Sequence, residues 1–520
     1  MKDFNRRAFL KLSGGIGLSA FVVPDALLAN NGEDFSDFKA MVVVDLQGGN
    51  DAINMFIPAD DRSGITTGYN TYAADRTELT RIEANNLMGA LRSKVDSNGH
   101  LLLDTGSGNP YAVSGNKTAD CYRKGFYLLD RNGFDKKVAI NAMMPEVAYW
   151  LDRGHGAIIQ NTGSLIQPTT KSQLKNKEVP IPPFLFAHNQ QAILMKTGQA
   201  SSINIPTGWM GRVADKWSGL YEGSIYKMNI NLSTFGQYKM FFGNNTKPMS
   251  YSGYGPVSYD RFTHIQLREE LSSVNDGDMF RALVDKNQID MIKQISQTVA
   301  DWKEVSGENG IFNANNLVDS YGKAFEDKNY KIQCPTQAEL GMSDPINQNG
   351  VREFMTAAKL INIAKNKGYK RLVISITLGG FDQHSTHAKT HAQRIRGLSL
   401  GIDRFMRTME ATGLLNDVAL FTVSEFARSA GSNRDGTDHA WGGAYMVLGG
   451  GVKPGNYGQF PDLTLGGEDD YSNKGRFIPT TSYSQYFGTL LKWFGTDAEV
   501  LSYALPELKN FPVQDLGFMG

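Results

Sequence analysis

Met41-Val42-Val43-Val44-Asp45-Leu46 is a continuous apolar run that opens into Gln47-Gly48-Gly49-Asn50-Asp51. A continuous run, as opposed to an alternating one, suits a strand buried on both faces of a parallel sheet. Similar runs recur at Val138–Asn141, Ala157–Asn161, Arg371–Leu378, Val418–Val423 and Ala444–Leu448. Helical patterns are expected between the last three. Ile395, Leu398, Ile402, Phe405 and Met409 fall on one helix stripe, and Gly413 closes that helix. Strand, helix and strand in units of this size predict βαβ crossovers. The expected class is α/β, with a mostly parallel central sheet, helices on both faces and inserted cap elements. Residues 62–135 and 220–345 break the rhythm and are expected as insertions. Within them, 274–330 has a helical pattern and is expected in an outer layer.

Working outward, the N-terminus reads as a targeting segment. Arg6-Arg7 precede the apolar stretch Leu12–Val23, and Ala29 ends a small-residue exit. Twin arginines, a short apolar middle and that exit predict a removable export signal over residues 1–29. The stretch is too short to span a membrane, which needs roughly 20 apolar residues. The remaining chain, 30–520, is then expected to work in the periplasm or outside the cell. The 53 basic and 53 acidic side chains balance, so there is no electrostatic footprint for nucleic acid. The two cysteines, Cys121 and Cys334, make no metal motif, and sequence leaves open whether they pair. A metal would need oxygen and nitrogen ligands.

In open α/β sheets, ligands gather beyond the carboxyl ends of strands. Four acid-bearing segments follow such ends. They carry Asp45 with Asp51, Asp382 with His384, Glu425 with Arg428, and Asp438 with His439. Carboxylates and imidazoles converging there suit zinc, manganese or another divalent ion. Four of the eight histidines are His384, His387, His391 and His439, a notable concentration. Against this, an Asp at a strand end is often only a cap or turn former. His387 and His391, four apart, suit either a solvent-facing helix start or a metal pair.

Several stretches resemble the bacterial DUF1501 family of secreted proteins, placed within the alkaline phosphatase-like superfamily. They are VVDLQGGNDAINMFIP (43–58), TGWMGRVAD (207–215), LGGFDQH (378–384), SEFARS (424–429), GTDHAWGG (436–443) and FIPTTSYSQYFGTLLKWFG (477–495). The resemblance implies a fold like that of alkaline phosphatases and sulfatases, and metal-dependent hydrolysis of phosphate or sulfate esters. Carried over, it makes Asp45, Asp51, Asp382, His384, Glu425, Asp438 and His439 the metal ligands. Zinc, manganese and calcium are the metals expected, and Arg428 would steady an anionic substrate, a small ester or a polysaccharide. A secreted DUF1800-family protein is an expected partner. The superfamily's hydroxyl or thiol nucleophile has no match after the first strand, where GGND offers none. Ser429 is a weak substitute. A non-catalytic binding or assembly protein on the same fold is therefore the rival expectation.

Overall fold

The computed structural model describes residues 35–520, apart from 61, 84–86, 89–94, 102–121, 124, 223, 225, 233–237, 254, 257–295, 308–309, 315–316, 323 and 325–348. The expected signal over 1–29 and both cysteines lie outside the described residues. Fifteen strands are described, in chain order: β1 (Lys39–Gln47), β2 (Phe56–Pro58), β3 (Leu87–Met88), β4 (Phe126–Leu128), β5 (Val138–Asn141), β6 (Gly156–Gly163), β7 (Asn229–Asn231), β8 (Met249–Ser250), β9 (Arg371–Gly379), β10 (Val418–Val423), β11 (Arg428–Ser432), β12 (Thr437–His439), β13 (Gly443–Leu448), β14 (Gly455–Tyr457) and β15 (Thr481–Ser482).

The apolar run at 41–46 lies in β1, at the heart of a nine-stranded sheet ordered β14-β6-β13-β10-β1-β9-β7-β8, with β15 on β6. Its side chains alternate between two cores. Ala40, Val42, Val44 and Leu46 pack on one face with Phe354, Ile361 and Leu398. Met41 and Val43 pack on the other with Trp209, Tyr486 and Phe487. Burial on both faces is what an uninterrupted hydrophobic strand requires. Helices Asn349–Asn366 and His387–Ala411 belong to the first face, and Trp209–Lys216 and Tyr483–Phe494 to the second. The predicted stripe from Ile395 to Met409 is buried, and Gly413 follows the helix end at φ +71°. Ser482 and Gln485 form a reciprocal capping box at the start of Tyr483–Phe494. Among the described residues, no helix is long and apolar enough to cross a membrane.

Three expectations are corrected. Val138–Asn141 (β5) belongs to a separate sheet ordered β2-β5-β4-β3, paired antiparallel with β2. An apolar run reports burial and says nothing about which sheet buries it. Ala444–Leu448 lies in β13, which is antiparallel to β10 and β6, so the large sheet is mostly and not wholly parallel. No helix separates β10 from β13; the antiparallel pair β11–β12 does, and it carries the last candidate residues. Within 274–330, the described helical parts are 296–306 and Ile311–Ala314.

The chain reverses direction across the sheet at β1, with β9 on one side and β10 on the other. In-register pairing of Gln47 with Gly379 and of Asp45 with Val423 sets the three carboxyl ends side by side. A crevice at such a switch point is where ligands bind.

Candidate metal centre

Gly48 begins the turn after β1 at φ +123°, and a Cβ there would stand 2.3 Å from the Asp382 backbone nitrogen. Only glycine permits that approach, which seats the β9 turn against the β1 turn. The β9 turn is also laced to the β11–β12 hairpin. Thr437 N donates to the Gln383 carbonyl at 3.2 Å, and His387 N to the Asp435 carbonyl at 2.9 Å. Asp382, His384 and His439 are thereby carried to one place.

Their side chains meet. His384 Nε2 is 3.0 Å from both His439 Nε2 and Asp382 Oδ1, and His439 Nε2 is 3.2 Å from Asp382 Oδ1. A residue the sequence reading did not single out joins them. His188, first in the helix His188–Thr197, places Nε2 3.1 Å from His439 Nε2 and 3.4 Å from Asp382 Oδ2. Its signal was thin: one histidine after the turn-rich stretch Pro180–Pro183, far in sequence from the others.

Two of the rings have their second nitrogen committed. His188 Nδ1 donates to Glu425 Oε1 at 2.8 Å, and His439 Nδ1 to the Phe186 carbonyl at 2.8 Å. His384 Nδ1 faces Asp438 Oδ1 at 3.5 Å. A carbonyl or carboxylate accepts only, so it holds the proton on Nδ1 and leaves the Nε2 lone pair facing the shared centre. Outer oxygens that fix tautomer and ring orientation are the usual surroundings of histidine ligands to a metal. Spacing fits for His188, Asp382 and His439, whose ligand atoms all lie within 4.8 Å of one another, while His384 approaches Asp382 and His439. Donors about 2.0–2.1 Å from one tetrahedral ion stand roughly 3.3 Å apart. Three imidazoles and a carboxylate suit zinc and related ions and suit calcium poorly.

The electrostatics of the cluster are uneven. Burial favours the neutral form of Asp382, but Arg428 Nη1 at 2.8 Å, with His439, outweighs it and holds the carboxyl below its usual range. The hydrogen bond to Glu425 raises His188 above the ordinary histidine value, against the effect of burial. Burial lowers His439. The cluster opens outward through Asp382 and His384, whose side chains are 44% and 46% exposed.

The other sequence candidates sit elsewhere. Asp45 lies within β1, so its side chain stands on the sheet face below the rim, 3.0 Å from Lys196 Nζ. Burial raises its pKa. Asp51 turns under the sheet rim to a buried bidentate pair with Arg76, at 2.6 and 2.9 Å, with His387 Nε2 at 2.8 Å. Burial would neutralise it, but Arg76 and His387 hold it far below the usual carboxylate range. Glu425 and Asp438 stand behind the imidazoles and not in front of them. Asp438 and His439 are consecutive in a strand and point to opposite sides, so one alone can face the centre. Arg428 is buried and engaged with Asp382, with Thr437 Oγ1 at 3.2 Å and with the Thr437 carbonyl. It orients a carboxylate and has no fork left for a substrate anion.

His387 and His391 form a second, fully buried group. His391 Nε2 donates to Asn50 Oδ1 at 3.1 Å, and Tyr122 donates its hydroxyl to His391 Nδ1 at 2.7 Å. Asn54 Nδ2 in turn donates to the Tyr122 oxygen at 2.9 Å. This group braces the floor beneath the centre: the Asn50 amide donates to Ser424 Oγ at 3.0 Å, next to Glu425.

A family model described as "Protein of unknown function (DUF1501)" matches residues 239–506. No curated protein matches the chain. Solved structures similar to it include the PsFucS1 sulfatase from Pseudoalteromonas sp., 9% identical, with 94% of this chain and 72% of that one covered at a TM-score of 0.28. Ps i-CgsB in complex with k-i-k-neocarrahexaose is also 9% identical, with 71% of each chain covered and a TM-score of 0.28.

Proposed function

Since the chain belongs to the DUF1501 family of proteins of unknown function, we propose from its own geometry that it is an exported metal-dependent hydrolase of phosphate or sulfate esters. In this reading His188, His384, His439 and Asp382 hold one divalent ion, zinc or manganese. One observation carries it: imidazole nitrogens and a carboxylate oxygen converge at 3.0–3.4 Å while oxygen acceptors occupy or face the outer ring nitrogens. His188, Asp382 and His439 each bring one ligand atom within 4.8 Å of the other two, and His384 stands against Asp382 and His439.

When bound, a divalent ion polarises an ester oxygen and lowers the pKa of neighbouring water. The chain's residues do the rest. Glu425, the Phe186 carbonyl and Asp438 orient the three rings. Arg428 keeps Asp382 charged and aimed. Among the described residues, no serine, threonine or cysteine side chain hydrogen-bonds to the four ligands, so water is the nucleophile in this reading. Hydrolysis breaks the P–O or S–O bond, leaves the hydroxyl of water on phosphorus or sulfur, and releases the departing alcohol with the water's other proton.

The engagement of Arg428 also supports a second reading, a secreted metal-holding module that does no chemistry, working with a partner such as a DUF1800-family protein. Metal content and turnover of nitrophenyl phosphate and nitrophenyl sulfate separate the two. Stoichiometric metal with nitrophenol release is expected, and His439→Ala should abolish both. Stoichiometric metal with no release from either ester would leave the second reading; absence of metal binding would end both.

A further inference from the structure

With Arg428 spent on Asp382, an anionic substrate needs another cation, and the loop beside the cluster presents one. Phe186 joins the two places. Its carbonyl accepts from His439 Nδ1, and its ring lies under the Arg476 guanidinium, 4.6 Å from centroid to Cζ. Arg476 is half-buried, and its Nε is buried with no hydrogen-bond partner. No carboxylate pairs with its guanidinium among the described residues. An arginine fork partly withdrawn from water, with no acid to answer it, is a standing demand for an oxyanion.

The loop that carries it is rigid by construction. Asp470, fully buried, accepts from four backbone amides: Gly466 and Gly475 at 2.9 Å, Arg476 at 3.0 Å and Ser472 at 3.1 Å. Lys171 Nζ clamps the Gly466 and Gly467 carbonyls, each at 2.7 Å. The Arg476 carbonyl accepts from Tyr471 N at 3.1 Å. A charge held in place by its own backbone loses little freedom when it binds.

We propose that Arg476 is the substrate-binding residue that takes the oxyanion, a phosphate or sulfate group, of the molecule acted on at the histidine–Asp382 centre. The inference rests on the hydrolase reading for what is bound, and on the Arg476 loop alone for how. Arginine suits the task because its planar fork meets two oxygens at once, which lysine cannot do.

The test is titration of inorganic phosphate into the purified protein by calorimetry, in zinc-loaded and in chelator-treated forms. Wild type should bind phosphate in both forms. Arg476→Gln, which keeps a polar side chain but removes the charged fork, should weaken binding about tenfold or more. Arg476→Lys should fall between. Zinc stoichiometry and thermal midpoint of both variants should match wild type, because Arg476 touches no ligand. Phosphate affinity unchanged in Arg476→Gln, or no phosphate binding by wild type at millimolar concentration, overturns the inference. Failure to bind zinc would instead strike the hydrolase reading, while phosphate titration of the metal-free form still judges Arg476.

Discussion

Lowering the pH should destabilise this protein through His391, over a range in which Asp75 and Asp403, whose carboxyls burial raises to about 6, also take up protons. The ring is fully buried, with Nε2–H on Asn50 and Nδ1 occupied by the Tyr122 hydroxyl. Burial, with His387 adjacent, holds its pKa well below the ordinary histidine value of 6.5. A histidine depressed in the folded state is neutral there but takes a proton once unfolded. Stability is therefore intact above about pH 6.5 and is lost as pH falls from there toward the folded pKa. At pH 5.5 the unfolded form gains about RT ln 11, or roughly 1.4 kcal/mol, from this one group. The assay is urea denaturation at pH 7.5 and 5.5, for wild type and for His391→Gln. The variant should be less stable at both values, since a flexible carboxamide does not refill the buried ring's place. It should nevertheless lose about 1.4 kcal/mol less than wild type between them. Equal losses in the two proteins would show that His391 is not held neutral, and the reasoning would fail.

Other expectations follow from the same geometry. Glu425→Gln keeps the shape but removes the charge behind His188, and should weaken zinc binding about 10- to 100-fold in a competition titration; an unchanged affinity would remove Glu425 from the positioning role. Arg76→Met strands Asp51, fully buried on both sides of the pair, and should cost about 3–5 kcal/mol by denaturation. A loss within error of zero would mean that Asp51 finds another partner. Gly48→Ala places a methyl 2.3 Å from the Asp382 nitrogen at a positive φ, so it should displace Asp382 and reduce zinc affinity more than stability. Full affinity in that variant would show that the two turns are not coupled.

The sheet was legible where burial alone wrote it. Val42 to Leu46, Ile374 to Leu378 and Val418 to Val423 read as strands because both sheet faces are covered. Direction was not legible, since β13 has the same composition as its parallel neighbours and pairs antiparallel. In the site, Asp382, His384 and His439 were found by type and by position after strands. Ligand could not be told from ligand's support, because Glu425 and Asp438 differ from Asp382 only in which way they point. Asp51 looked like a ligand because its partner, Arg76, sits in a stretch without pattern. His188 left almost no trace: one helix start brings it in, and no local spacing announces that.

His188 and His439 are separated by 251 positions along the chain and touch only through the finished sheet. In the proposed reading, the ligands come together only in the assembled rim, so capture of an ion would follow completion of the fold. Binding then stabilises the native form alone, by the full logarithm of ion concentration over dissociation constant. An ion bound in this way would be first captured where the chain finishes folding, and its later retention would depend on the ions the protein meets there and afterwards.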